Sequence, residues 1–257
     1  MGQESPGFWG GFGFGQSIKR WKRALRSPAT VSTADLRRMA GDIQTLRDEL
    51  DQMAAAAGAE LQGRGGSGDG IARPEQCDWA IRPAPWTIRM RPHGIVGLGS
   101  PTELNGGVTL YHDATRAQMS LRQDPTPPNC GTAPFGLVLE VYELDGSFVS
   151  LVQDLPAASL EGLTKGHFIA VQITAERDHP IDVYARLNIQ HGPNVEQMVR
   201  EIEFKGDLGR AEFDLAYSKV NEKRLEKAWL DLIIEGPTMT RIALWDMSIL
   251  RAPRADI

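Results

Sequence analysis

The sequence predicts a mainly β protein, an antiparallel two-sheet β-sandwich of jelly-roll-like form preceded by an N-terminal helical arm. Three observations carry that expectation. Downstream of residue 75, short apolar or alternating runs follow one another between turn residues, the pattern of many short strands. The 27 glycines and 16 prolines suit a chain with many turns. A sustained helical period occurs only upstream of that boundary, between Leu36 and Ala57.

Composition narrows the function classes first. At 257 residues, one large all-β domain or two smaller domains both fit. A net charge of −5 and a pI of about 5.6 argue against a nucleic-acid partner for the chain as a whole. Cys77 and Cys130 are too few for a disulfide framework, and their spacing supports no metal site. No run approaches the roughly 20 apolar residues of a membrane span. The first residues lack the apolar stretch of a signal peptide, and Pro6 stands where a myristoylation signal wants Ser or Thr. A cytoplasmic protein is the default expectation, with peripheral association at the cell envelope as the variant.

Four segments follow in order. Residues 1–31 begin with the Gly-rich MGQESPGFWGGFGFGQ, whose interleaved aromatics cannot build a core alone. SIKRWKRALRS then sets Ile18, Trp21 and Leu25 at helical spacing among Lys19, Arg20, Lys22, Arg23 and Arg26. That short basic amphipathic helix, Ile18–Arg26, suits docking to an acidic partner, a nucleic acid or, weakly, an anionic membrane surface, and more often simple packing on a neighbour through Trp21. Residues 32–57 open with the capping residues Ser32 and Thr33 and with Asp35 in the first turn. Leu36, Met39, Ile43, Leu46, Leu50, Met53 and Ala57 then recur in alternating steps of three and four, a heptad seam. Self-association through Leu36, Ile43, Leu46 and Leu50 is the favoured use of this seam. Folding back on the basic helix and docking on the β-domain stay open. Residues 58–74 (GAELQGRGGSGDGIARP) read as a flexible linker, and residues 75–257 as the sandwich.

Within the sandwich, CDWAIRPAPWTIRMRPHG carries too many prolines for a helix and suggests an extended edge segment anchored by Trp79 and Trp86. Strands are then expected at 107–112, 118–123, 136–144, 147–155, 167–176, 181–190, 199–204, 210–215, 228–235 and 241–251. Asp145-Gly146 signals a hairpin between two of them, and Asp178-His179-Pro180 and His191-Gly192-Pro193-Asn194 mark further turns. Asn221–Lys227 fits either a helical turn or a strand entry.

Four stretches, APFGLVLEVYELDGSFVSLVQDLP, ARLNIQHGPNVEQ, EFDLAYSKVNEKRLEKAWLDLIIE and RIALWDMSILRAPRADI, resemble an uncharacterised family of marine and photosynthetic alphaproteobacteria. The resemblance covers about Trp79–Ile257 and leaves the Gly/Phe-rich start as a feature particular to this chain. It implies no activity, catalytic residue or cofactor. The expected shape is similar to carbohydrate-binding jelly rolls at the level of fold alone.

Most catalytic motifs are missing. The sequence holds no G-x-S-x-G elbow, no phosphate loop and no H-E-x-x-H zinc helix. His112-Asp113 is a weak metal candidate, more often a hydrogen-bonded loop feature, so no metal and no cofactor is expected. Glu201 and Glu203 form an i, i+2 carboxylate pair of the kind a glycosidase needs, in what reads as a solvated edge strand. Trp245-Asp246 reads as core with a buried hydrogen bond. The stronger candidate surface is the strand IDVYARLNIQ, whose Tyr184, Arg186, Asn188 and Gln190 share one face. If 228–235 is its neighbour, Arg186 pairs with Asp231, and Trp229 lies beside Asn188. An aromatic ring among planar polar groups suits a sugar, while the same residues also suit a cross-strand pair that only sets register. The reading is therefore a non-catalytic binding module for a glycan, using Tyr184, Arg186, Asn188, Gln190, Trp229 and Asp231, carried on a self-associating helical arm. The alternatives are a structural or assembly protein acting through the N-terminal helices and a carbohydrate-active enzyme.

Overall fold

A computed structural model describes residues 31–63, 70–104 and 106–254, together with Lys19, Lys22 and Arg26. The chain divides into two units, Met1–Met53 and Ala54–Ile257. Lys19, Lys22 and Arg26 are helical and exposed, and the rest of the expected basic helix and the Gly/Phe-rich start lie outside the described residues.

Helix α1 spans Thr33–Gly63. Ser32 caps it: its Oγ accepts from the Asp35 backbone N–H at 3.1 Å, satisfying one of the orphan donors of the first turn. Leu36, Ile43, Leu50 and Met53 are exposed along the helix, in the heptad order the sequence carries. The helix passes the expected end at Ala57 and runs six residues further. Ala54–Ala57 and Ala59 are the strongest helix formers, and the one glycine among them, Gly58, costs only about 1 kcal/mol. The end of the expected linker is also not free-standing. Ile71 is buried, packed with Ala80, Ala170 and Leu250.

Among the described residues the second unit holds fourteen strands and one short helix, in the order β1 (Trp79–Ile81), α2 (Ala84–Thr87), β2 (Gly94–Val96), β3 (Thr102–Glu103), β4 (Val108–His112), β5 (Ala117–Pro125), β6 (Phe135–Leu144), β7 (Phe148–Leu155), β8 (His167–Arg177), β9 (Val183–His191), β10 (Asn194–Glu201), β11 (Glu203–Lys205), β12 (Leu208–Asp214), β13 (Leu225–Glu235) and β14 (Thr240–Pro253). They form two antiparallel sheets. One is eight-stranded, in the order β11-β12-β8-β14-β6-β5-β2 with β1 also on β14, and the other is six-stranded, β10-β9-β13-β7-β4-β3. The expected two-sheet sandwich is what the chain builds. Consecutive strands mostly change sheets, as in a jelly roll.

The core is the apolar half of each alternation. Leu187, Ile189, Leu230, Leu232 and Ile234 face Leu137, Leu139, Ile169, Val171, Phe213 and Ile249, all nearly without exposed surface. The proline-rich segment is fixed by buried polar contacts. Trp86 is fully buried and donates from Nε1 to the Leu244 carbonyl at 2.8 Å. Gln123 donates to the carbonyls of Pro85 and Ile88 and accepts from the Met90 N–H, each at 2.7 Å. Instead of a wholly extended edge, this stretch gives a three-residue strand from Trp79 and a single helical turn around Trp86.

Two turn expectations come out differently. His191-Gly192-Pro193-Asn194 closes a tight β9–β10 hairpin in which Asn194 faces His191, with Gly192 at φ 61° as its first central residue. Asp145-Gly146, by contrast, is no hairpin, because β6 and β7 lie in opposite sheets. The Asp145 carboxylate accepts from the backbone N–H groups of Thr115 and Arg116, both at 2.8 Å, and so pins the corner. Gly146 is required by close approach: a Cβ there would lie 2.6 Å from the Ala114 nitrogen. The run expected as one strand at 199–204 likewise breaks between sheets at Ile202, which is buried and donates to the Val183 carbonyl at 2.8 Å. Asn221–Lys227 resolves into both alternatives, a 3-10 turn over Glu222–Arg224 and then the entry to β13.

Candidate functional site

The six predicted ligand residues all lie on the outer face of the six-stranded sheet. Strands β9 and β13 are neighbours, and their register sets Asp231 opposite Arg186, Trp229 opposite Asn188 and Ile233 opposite Tyr184. Arg186 donates from Nε to Asp231 Oδ2, and Asn188 Nδ2 reaches the same oxygen at 3.3 Å. The arrangement has two layers. Asn188 and Asp231 are buried (0% and 1% exposed), so they hold Arg186 from below and offer no surface to a ligand. Asn188 Oδ1 and Asp231 Oδ1 are both buried without a hydrogen-bond partner among the described residues. Tyr184, Arg186, Gln190 and Trp229 are half-buried and form the accessible layer. Gln190 donates to Glu226 at 2.9 Å, and the Lys227 ammonium lies 5.6 Å from the Trp229 ring centroid. Burial raises the pKa of the Tyr184 phenol, and the charges of Glu235, Asp182 and Glu201 add to that.

A concavity lies on the other sheet. A groove of about 870 Å³ lies over β12, β8 and β14, a volume in the range of small-molecule sites. Its floor is two cross-strand rows of outward residues. Gln172 stands between Arg210 and Ser248, and Thr174 between Leu208 and Asp246. Three adjacent strands make that floor about 10 Å across. Gln172, Thr174 and Ser248 make no side-chain hydrogen bond with another described residue; Gln172 and Thr174 are half-buried on the floor, and Ser248 lines it from a more buried position. One wall is Gly70–Ala72 with Gly131 and Thr132, and the other is Arg200, Glu201, Glu203 and Lys205.

A buried ion pair holds the first wall. Arg82 donates from Nε and Nη2 to the two carboxylate oxygens of Asp246, both at 2.9 Å, and from Nη2 to Thr132 Oγ1 at 2.7 Å. Thr132 in turn donates to the Gly70 carbonyl at 2.7 Å. The fork of a guanidinium matches a carboxylate in this bidentate way, and the linkage ties β14 to the two loops that make the wall. Trp245 is core, as the sequence suggests, with its Nε1 donating to Glu176 at 3.2 Å. Asp246 differs from that expectation, being a groove residue as well as a buried partner.

Sequence reasoning missed this groove. Its floor comes from polar residues at alternate positions in HFIAVQITAER, LGRAEFD and DMSIL, signals no stronger than those of any wet strand face. What unites them is the register of three strands far apart in sequence. The Glu201/Glu203 pair does lie in the groove, flanking the buried Ile202 where the chain changes sheets.

Other constellations resolve as structure. His112-Asp113 is a loop anchor: Asp113 accepts from the Ser147 N–H at 2.7 Å and from its hydroxyl at 2.5 Å, and His112 Nε2 lies 3.2 Å from the Leu98 carbonyl. Thr164, His167 and Asp78 form a hydroxyl–imidazole–carboxylate row, with 2.9 Å from Thr164 Oγ1 to His167 Nδ1 and 3.4 Å from His167 Nε2 to Asp78. The N–H groups a nucleophile would need for an oxyanion are already used, Lys165 on Glu222 and Gly166 on Thr164 Oγ1. Asp78 is engaged by the buried Arg251 at 2.9 Å. Among the described residues no group of three or more His, Cys, Asp or Glu side chains is placed to hold a metal ion. No described helix is long and apolar enough to cross a membrane.

Comparison with known proteins gives a family and a set of distant folds. A model for a family of unknown function, DUF6478, matches residues 1–257. The match takes in the Gly/Phe-rich start as well as the sandwich. Comparison with curated proteins returns no match. Among solved structures, the chain is similar to the enzymatically active domain of tailspike protein 4 of bacteriophage CBA120, with TM-score 0.40 and 10% identity, over 58% of this chain and 19% of that one. It is also similar to the family 11 carbohydrate-binding module of Clostridium thermocellum, with TM-score 0.38 and 11% identity, over 63% of this chain and 98% of the module. A third is the CBM22-1 xylan-binding domain from Paenibacillus barcinonensis, with TM-score 0.35 and 10% identity, over 63% and 97%. The chain belongs to the DUF6478 family.

Proposed function

We propose that this member of the DUF6478 family is a non-catalytic binding module whose ligand is a glycan, held in the groove on the outer face of the eight-stranded sheet. The observation behind this reading is the floor. An amide and a hydroxyl, Gln172 and Thr174, lie half-buried without a side-chain partner among the described residues at the base of a cavity of about 870 Å³, with Ser248 beside them. Such groups match the paired donors and acceptors of sugar hydroxyls. Around them the charges balance, with Arg200, Lys205 and Arg210 against Glu201, Glu203 and Glu212. That balance favours a neutral, hydroxyl-rich ligand over a strongly charged one. Two groove carboxylates are taken by arginines, Asp246 at both oxygens by Arg82 and Glu212 by Arg210, while Glu201 and Glu203 stay exposed on one wall. The Tyr184, Arg186, Gln190 and Trp229 surface on the opposite face is the second surface to test, with Arg186 fixed in place by Asp231.

The helical arm completes the proposal. Leu36, Ile43 and Leu50 are exposed and Leu46 half-buried on α1, which supports self-association of the chain through this seam. The exposed Lys19, Lys22 and Arg26 support, at most, weak contact with an anionic surface. The test is a glycan array on the full chain beside Gln172→Ala, Thr174→Val, Arg186→Ala and Trp229→Ala variants, with liposomes as a separate arm. Loss of glycan binding by at least about tenfold in the first two variants alone is expected, one or two hydrogen bonds to a bound ligand. Loss confined to Arg186→Ala and Trp229→Ala would move the site to the other sheet, and no retained glycan would remove the reading.

A further inference from the structure

Helix α1 carries more information than an apolar seam, because the charges beside the seam have a direction. With Leu36, Ile43 and Leu50 at the first core position of successive heptads, Met39, Leu46 and Met53 take the second. The residues just before each first position are Asp35, Asp42 and Glu49, all acidic, and those just after each second position are Ala40, Arg47 and Ala54. Two helices laid antiparallel bring like flanks together, so three carboxylates of one helix would face three of the other. Laid parallel and in register, each flanking acid meets the opposite flank five residues further along the partner. Asp42 then meets Arg47 of the second copy, twice over by symmetry, while Asp35 and Glu49 meet alanines. Asp42 and Arg47 are both exposed, and neither makes an ion pair with a described residue. The central heptad, Ile43 then Leu46, also has the β-branched and γ-branched order that favours two strands.

We infer that α1 pairs with α1 of a second copy of this chain, parallel and in register, with Asp42 and Arg47 as the pair that sets direction. The inference rests on the self-association reading above and is independent of what the groove binds. Its consequence is that the chain leaves both helices of the pair at the same end. Two binding modules are then presented together, and a repetitive surface is gripped by both at once, with the avidity of a linked pair.

Two measurements separate failure of the direction from failure of the association. Light scattering on the full chain is expected to give twice the 28.2 kDa chain mass. A single-chain mass overturns both readings. Then, with Cys77 and Cys130 replaced by Ser, Leu36→Cys and Met53→Cys chains are oxidised separately and mixed. Parallel pairing yields disulfide-linked dimers of each variant with itself. A disulfide formed only between Leu36→Cys and Met53→Cys chains overturns the direction while leaving association standing. Arg47→Glu is expected to weaken the dimer about tenfold, since two attractions become two repulsions. Adding Asp42→Lys restores it. A dimer indifferent to both substitutions also overturns the assignment. Leu36, Asp42, Arg47 and Met53 are exposed on α1, whereas Cys77 and Cys130 are half-buried in the sandwich, so circular dichroism on the Cys-free parent and on each variant checks that the helix and the sandwich are intact.

Discussion

Replacing Arg82 with Met is expected to be among the most destabilising single changes in the sandwich that leave its core apolar packing in place. The guanidinium is 4% exposed and its partner Asp246 is 15% exposed, so the pair is all but withdrawn from water. Removing Arg82 takes two charge-assisted hydrogen bonds from Asp246 and one from Thr132, and leaves a carboxylate in the groove wall with its cation gone. Breaking a buried pair from one side costs about 3–5 kcal/mol, and the residual access of Asp246 to water places this case near 3. With a urea m-value of about 2–3 kcal/mol/M, the midpoint should fall by about 1 M or slightly more, and Tm by about 6–12 °C. The double variant Arg82→Met, Asp246→Leu removes the stranded charge and should recover most of that loss, since an apolar pair of similar volume is often neutral or better. Equilibrium urea unfolding followed by tryptophan fluorescence measures both. A single variant within about 1 kcal/mol of the parent, or a double variant worse than the single one, would falsify the view that a dry ion pair braces this wall.

Other outcomes follow from the same geometry. Gly146→Ala should destabilise the chain by about 1–3 kcal/mol, because the new methyl meets the Asp113 carboxylate and the Ala114 backbone, while Gly162→Ala, with open space around it, should show only the smaller strain of its positive φ; thermal denaturation of the pair separates the two effects. Hydrogen bonds from the Thr115 hydroxyl and then the Arg116 and Thr115 backbone lower the Asp145 pKa to about 2. A lowered carboxyl stabilises the fold above its unfolded value of about 3.9 and loses that contribution as pH falls towards the folded value. Asp145→Asn should therefore flatten the stability profile between about pH 4 and pH 2, and an unchanged slope in acid titrations would show that the corner is held by other means. Gln123→Ala should cost about 2–4 kcal/mol, since it strands the Met90 N–H and the Pro85 and Ile88 carbonyls together, and faster hydrogen exchange at Met90 is the local readout.

The sandwich was readable because its strands alternate cleanly. Val183, Ala185, Leu187 and Ile189 on one face and Tyr184, Arg186 and Gln190 on the other fix a one-sided strand, and 228–235 was expected only as a conditional neighbour, which the register supplies with Arg186 opposite Asp231. Depth was not readable. Asn188 and Asp231 are polar residues in outward positions and yet are buried, and alternation alone assigns a side without a depth. The Asp145-Gly146 corner misled for a related reason. A dipeptide that suits a two-residue hairpin also suits any sharp turn needing a capping carboxylate and a residue without Cβ, and only tertiary contacts with residues 113–116 decide between them. The groove was illegible because its floor is assembled from β12, β8 and β14, whose polar residues mean little until the register brings them side by side.

Strand β14 occupies the middle of the eight-stranded sheet, bonded to β8 along one edge and to β6 and then β1 along the other, although it is the last strand of that sheet to be made. During synthesis, then, β6 and β8 emerge with the place between them vacant, and the groove floor lacks its third strand until residue 253 has left the ribosome. Until that moment the nascent chain exposes two unpaired edges and a core without Ile242, Leu244, Met247 and Ile249, the condition in which aggregation and chaperone capture compete with folding. A ribosome stalled anywhere before β14 would hold a chain that cannot close, so closure of the eight-stranded sheet and completion of the groove floor should switch on together.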